Sequence, residues 1–398
     1  MFGNKFIHYA PLLPIVYIGF YFGLLPYKWD VKHLSMPGFH SDQDLLYHSR
    51  VGLFISYIYA LIGLFVGYTN VRLTFDLATK YSSCFDDICW GPVCRNVCVH
   101  LVIVWVVYIG CISAMLSVLF YRKQLTLQCL NDMNRIIGPM NIKIPLLTSF
   151  LILLFLTFQV VSFIYQMNRS KMLFHFVLEF SPPYLLICLT LANACVTALM
   201  LKILELGYMG LNSQVDGLFN NYNRRIITNI LDIMRTHWNL TNLTDLCSKC
   251  VRVDLMIIGV SSTVRVIYFM FSMLRFLEES MKNPGSKFSA FQSVIFLVTV
   301  VGPFVSLCYR CNRVVQEEEN SLICINSLLL KARSHKDTQA VSVLSDFLEQ
   351  AKVRQISFTA CGLFTLNLRL VCTIFGITMT YFIVLVQFKT AAQSTKAE

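Results

Sequence analysis

Charge is what this sequence has least of. Only 14% of its 398 residues are Asp, Glu, Lys or Arg, against 56% hydrophobic, and the mean hydropathy is +0.60. A water-soluble domain carries about 25% charged residues, so this chain could not wet its own surface. Glycine (18) and proline (11) are too sparse for a collagen-like or disordered chain. The 15 cysteines are odd in number and lie mostly in apolar runs, where Cys behaves as a small hydrophobe, so a secreted disulfide scaffold is excluded. Enzyme signatures are missing as well: there is no Walker loop, no Gly-x-Gly-x-x-Gly, no Gly-x-Ser-x-Gly and no His-Glu-x-x-His. Eight His are scattered, and His8, His100 and His175 sit in or beside apolar stretches as single residues. No paired intramembrane carboxylates suggest a proton-coupled pump, since Glu179 and Asp254 can both sit at span ends. No enzymatic activity and no cofactor is expected.

What is present is a series of long uncharged runs. A bilayer core of about 30 Å needs roughly 20 apolar helical residues. Val51–Val71, Asn96–Tyr121, Ile144–Asn168, Phe180–Leu201, Phe288–Tyr309 and Leu370–Phe388 are all free of charge, and Leu255–Leu274 carries only Arg265. They predict an all-α integral membrane protein of seven transmembrane helices, at 49–70, 97–120, 144–167, 174–203, 254–276, 288–310 and 358–388. Phe6–Tyr27 is apolar too, but Pro11, Pro14 and Pro26 with Gly19 and Gly23 would break a helix where lipid cannot satisfy its backbone. Residues 1–47 therefore read as a cytoplasmic or re-entrant segment, with a signal peptide as the rival reading.

Seven spans place the termini on opposite sides. Setting aside Arg265 and Arg369, 21 Lys and Arg fall in 1–50, 122–143, 202–253 and 310–357, against 10 on the other side, which favours a cytoplasmic N-terminus. The net charge of +11 then belongs to loops beside anionic headgroups rather than to a nucleic-acid surface. Segments 202–253 and 311–357 are not linker-like: Leu218, Ile226, Ile230 and Met234 in one, and Leu328, Val341, Leu344, Phe347 and Leu348 in the other, recur at helical spacing. Both read as helical extensions of spans into the cytoplasm, with independent amphipathic helices on the membrane as the alternative.

Cys84, Cys89, Cys94 and Cys98 cluster before the second span, where a disulfide is compatible with an extracellular loop. Cys247-x-x-Cys250 and Cys308-x-x-Cys311 imitate a four-thiolate zinc pattern, but 57 residues separate the pairs and the second sits at a membrane helix end, so no metal site is assigned. Arg265 and Arg369 are expensive intramembrane charges that would face a cavity, a partner or an interface.

The last span carries a recognisable piece. Cys361-Gly-Leu-Phe364 leads to Thr380-Tyr381, five apolar residues and Gln387-Phe388. This resembles the Thr-Tyr-x5-Gln-Phe signature that ends insect gustatory receptors, and is similar to the end of the insect olfactory co-receptor. Gly23-Leu-Leu-Pro26 also looks like the family's Gly-Leu-x-Pro. The resemblance implies a ligand-gated cation channel, a homo- or heterotetramer of related subunits in the plasma membrane of chemosensory neurons, with an extracellular tail over 389–398. It implies that the last helix lines the pore and that cytoplasmic extensions anchor the subunits. The matching gate residues are Val384 and Phe388, with Gln387 beside them. Positions 384 and 388 share one helix face, so rings of Val and Phe could close by dewetting while Gln amides supply oxygens to a cation.

By the same resemblance the outer halves of spans two to six form a pocket for a small organic tastant. Its candidate lining is Trp105, Phe158, Gln159, Phe163, Tyr165, Gln166, Phe174, His175, Tyr184, Tyr268, Phe269, Phe291 and Gln292. Sugar-sensing relatives often carry an acid directly after the Thr-Tyr pair; here it is Phe382, which favours bitter or repellent ligands over sugars. Two alternatives stand: a pore-contributing co-receptor subunit, and a seven-helix G-protein-coupled receptor. The latter would need the opposite orientation, and the chain lacks Asp/Glu-Arg-Tyr after its third span and Asn-Pro-x-x-Tyr in its seventh.

Overall fold

The computed structural model describes residues 27–29, 46–48, 123–137, 173–220, 226–282 and 287–394. A short antiparallel hairpin pairs β1 (Tyr27–Trp29) with β2 (Leu46–His48). Six helices follow: α1 (Lys123–Ile137), α2 (Leu173–Asn220), α3 (Ile226–Lys282), α4 (Lys287–Ser334), α5 (Thr338–Val353) and α6 (Leu368–Ser394). A second small hairpin, β3 (Thr359–Ala360) with β4 (Phe364–Thr365), separates the last two. The expected spans at 49–70, 97–120 and 144–167, the proline-rich start and the cysteines from 84 to 98 lie outside the described residues.

Helices α2, α3 and α4 are 48, 57 and 48 residues long. At 1.5 Å per residue they reach about 70–85 Å, more than twice a bilayer core. Each therefore has one half of span length and a second half that continues it without a break. Residues 205–220, 226–253 and 311–334 form that second half, and together with α5 they are here called the distal bundle. Glu205 meets Arg310, and Asn212 meets Glu317, so α2 and α4 run parallel. Short connections turn α3 back between them, and Tyr208 of α2 meets Thr244 of α3. Among the described residues Ala194–Asn220 is long and apolar enough to cross a membrane, and Leu368–Val384 is a shorter apolar helix.

Two cores hold the bundle. The upper one joins Cys129, Leu130 and Met133 of α1 to Leu201 and Leu204 of α2, Leu240 and Val251 of α3, and Leu307 and Val314 of α4. The lower one seats Ala340, Leu344, Phe347 and Leu348 of α5 against Leu211 and Val215 of α2, Ile230 and Ile233 of α3 and Ile325 and Leu328 of α4. The helical spacing of apolar residues in α5 makes that face. Its start is fixed by Asp337, whose carboxylate accepts the Ala340 amide at 3.1 Å, and by Lys336, which turns the chain in the left-handed region (φ 53°).

Two expectations need correction. The last helix does not begin at 358. Cys361 (φ 52°) and Gly362 (φ 77°) take left-handed conformations that a helix cannot continue through, and the chain forms the second hairpin there. Helix α6 starts at Leu368, where the Asn367 side chain accepts the Leu370 amide at 2.9 Å. It also runs on through residue 388 to Ser394, so the segment from 389 is helical over its first six residues. Between the expected second and third spans lies a packed helix, α1, whose Cys129 and Leu130 are fully buried.

Candidate functional site

Among the described residues, helix α6 packs on the core near its start. Leu370, Val371 and Ile374 pack against the upper core, and Thr378 is buried. A small cavity opens at this junction, with about 10 Å³ of space, roughly room for one water. It is lined by Ser262, Val266, Val301, Phe304, Val371 and Ile374, among others. Just below it, a Cβ placed on Gly259 would meet Phe304 at 3.4 Å and Phe364 at 3.5 Å. The missing side chain lets the Phe364 ring of the hairpin lie close against α3. The hairpin is also held by hydrogen bonds from Ser248 to the Ser357 carbonyl (3.5 Å) and from Cys361 Sγ to the Arg252 carbonyl (3.8 Å).

Ile377, Met379, Tyr381, Ile383 and Val384 are all exposed, Tyr381 by 68% and Val384 by 39%. Adjacent and i+4 positions being exposed together, the bare surface wraps several helix faces rather than forming one stripe. Of the expected gate residues, Val384 and Gln387 stand exposed on α6, and Phe388 is on the same helix with its side chain outside the description. Thr380 of the motif donates back to the Gly376 carbonyl at 2.9 Å, which satisfies its hydroxyl within an apolar helix. Arg369 is exposed on the first turn of α6.

The expected pocket residues divide in two. Trp105, Phe158, Gln159, Phe163, Tyr165 and Gln166 lie outside the described residues. Phe174, His175 and Tyr184 fall near the start of α2, Tyr268 and Phe269 late in α3, and Phe291 and Gln292 near the start of α4. Because α3 runs against the other two, these positions belong to one end of the three helices, the end remote from the distal bundle; their side chains, like that of Arg265, are not described. The junction of Gly259, Phe304, Phe364 and the cavity went unnoticed in the sequence. Its one signal is a glycine in an apolar helix, which marks a close approach of another element without naming it.

The thiols that imitate a zinc pattern do converge. Cys247, Cys250, Cys308 and Cys311 are all buried, and the Cys129 thiol hydrogen-bonds with Cys247 and Cys250. No group of three or more His, Cys, Asp or Glu among the described residues is arranged to hold a metal ion. Close by, Glu205 gathers three cations: Lys202 Nζ at 2.8 Å, Arg310 at 3.0 Å and Arg313 at 3.6 Å. Arg313 also pairs with Glu317 at 2.8 Å, and Asn212 donates to Glu317 at 3.3 Å. This network fastens α2 to α4 where the span-length halves end.

The family model for 7tm chemosensory receptors matches residues 12–392, nearly the whole chain. The chain belongs to the 7tm chemosensory receptor family. Membership gives the coarse reading directly: a membrane chemoreceptor of the insect type. The putative gustatory receptor 28b of Drosophila melanogaster is 32% identical over 101 residues, a stretch that covers 25% of this chain and 20% of that protein. The chain thus matches about a fifth of that relative's length. Among solved structures, the insect olfactory receptor OR5 from Machilis hrabei shares the fold, with a TM-score of 0.64 over 97% of this chain and 100% of that one at 13% identity. The same receptor in complex with eugenol matches with a TM-score of 0.54 at 13% identity, again over 97% of this chain and 100% of that one.

Proposed function

We propose that this receptor is a gustatory subunit of a ligand-gated, non-selective cation channel, assembled as a homo- or heterotetramer with α6 of each subunit around a central pore. The observation that carries the reading is the state of α6. A helix on which Met379, Tyr381, Ile383 and Val384 are exposed calls for further apolar surfaces to cover them. Copies of the same helix around an axis, with lipid outside, supply those surfaces, and symmetric closure leaves none unpaired. Val384 and Phe388 then form the gate, and Gln387 lines the ion path. The distal bundle is the cytoplasmic anchor, and the remote end of α2, α3 and α4 faces outward.

The ligand is a small organic tastant, bitter or repellent rather than a sugar. Phe382 in place of an acid supports this, as does the eugenol complex of the OR5 receptor, which shares the fold. The setting is the plasma membrane of chemosensory neurons. The test expresses the full chain in cells without related receptors and records whole-cell current under a panel of bitter compounds and sugars. Val384→Ala with Phe388→Ala is expected to raise the resting cation current several-fold, and Gln387→Glu to shift reversal potentials. Unchanged leak and unchanged permeability at normal surface expression overturn the assignment of the pore.

A further inference from the structure

Buried polar atoms are almost always paired, because an unmade hydrogen bond in a dry interior costs about 1–3 kcal/mol. Two such atoms in the distal bundle are not. His237 Nε2 on α3 and Glu318 Oε1 on α4 are buried without a hydrogen-bond partner, and their residues are 3% and 4% exposed. Both lie in the distal bundle. The His237 ring meets Phe347 of α5 edge-on at 5.1 Å and Tyr208 of α2 at 6.3 Å. Tyr208 is itself fully buried and lies within the electrostatic reach of Glu318. Helices α2, α3 and α5 thus meet at the histidine, Glu318 of α4 lies buried within reach of Tyr208, and among the described residues neither unpaired atom has a hydrogen-bond partner.

The other ionisable groups around the two side chains do not neutralise them. On α4, Glu319 adds a like charge beside Glu318, and Glu317 is committed to Arg313 and Asn212. On α2, Glu205 is held by its three cations. At the end of α5, Arg354 reaches the field of Tyr208, but its guanidinium stacks over Trp238 at 4.7 Å.

We infer that Glu318 and His237 form a proton-binding pair built into the distal bundle, which stabilises the bundle when both side chains are neutral and loosens it when either ionises. Burial, with Glu319 beside it, pushes the Glu318 carboxyl up to about 7. Burial pushes the His237 imidazole down to about 4. The two act with opposite sign. A carboxyl raised from 4.5 binds its proton more tightly when folded, so stability is full below 4.5 and is lost as pH rises through about 7. A histidine lowered from 6.5 contributes stability that is full above 6.5 and is lost as pH falls through about 4. Between 4.5 and 6.5 the two slopes offset each other, so each shows only when the other group is removed. Under the orientation proposed above the pair senses cytosolic pH; the proton binding itself does not rest on that reading, nor on the chain's being a channel.

The test follows the melting temperature of the purified full-length chain in detergent between pH 4 and 8, for the wild type, Glu318→Gln and His237→Phe. Phe keeps a ring against Phe347, and Glu318→Met stands in if the Gln variant is poorly produced. Taking each variant relative to the wild type cancels the titration common to all three. Glu318→Gln is expected to gain on the wild type as pH rises toward 7, and His237→Phe to gain as pH falls toward 4, each by about 2 °C per pH unit. Two flat differences, or two of the same sign, overturn the pair. Currents need not be recorded, so a failed channel reading and a failed proton site are told apart.

Discussion

The distal bundle and the last helix come from the same apolar sequence, yet among the described residues one buries its apolar faces and the other leaves large apolar side chains exposed. In the bundle, apolar faces of α2, α3, α4 and α5 close on each other, and Glu205 of α2 pairs with Arg310 and Arg313 of α4. In α6, the residues after Thr378 leave large apolar side chains bare. The difference lies in pattern rather than hydrophobicity. Polar and apolar residues alternate with helical period in α5, which gives it one face to bury and one to wet. Residues 379–386 of α6 are apolar nearly throughout, so no single neighbour can cover them.

The comparison breaks most readily at Glu205. Its carboxylate is the shared partner of Lys202, Arg310 and Arg313, and its side chain is only 4% exposed. Glu205→Ala leaves three cations together with one acid, Glu317, among them. The expected cost is about 3–5 kcal/mol, the usual penalty for a buried charge stripped of its partner. It should show as a large fall in the melting temperature of the purified chain, whereas a fall as small as that of a surface pair would mean the network is solvent-screened. A smaller effect is expected at Asp337→Ala. The α5 cap loses one side-chain acceptor for the Ala340 amide, worth about 1 kcal/mol. Asp337→Asn should recover most of it, because Asn caps through the same oxygen position.

These features were unequally legible in the sequence. The helical class, the polar-apolar rhythm of 202–253 and 311–357 and the Thr380 to Phe388 motif were readable because they repeat along the chain or match a fixed spacing. The hairpin at 359–365 was hidden by its length: two residues per strand carry no period, and only the Cys361-Gly362 pair marks the turn. Helix α1 drew no expectation of its own: it is too short and polar to read as a span, and its buried Cys129, Leu130 and Met133 are interspersed with Gln128, Asn131 and Asp132. The His237 and Glu318 pair lies 81 positions apart and joins only when α3 folds against α4. Nothing local in either segment announces an unpaired buried group. Contacts of that kind are tertiary facts, and single-residue patterns do not contain them.

The smallest expected effect is the most informative about α6. Val384→Ala removes two methyl groups from a side chain that is already 39% exposed and meets little of its own chain. The melting temperature of the isolated subunit should then move by no more than an ordinary surface substitution, about 0.5 kcal/mol at most. A buried Val would instead cost more than this once truncated, since each buried methylene is worth about 0.8 kcal/mol. Measuring the same variant in dissociated and assembled receptor separates the two cases. If the cost appears only on assembly, Val384 is covered by neighbouring subunits. If it is absent from both, the side chain faces an open lumen or lipid, and the gate must close on other residues of α6.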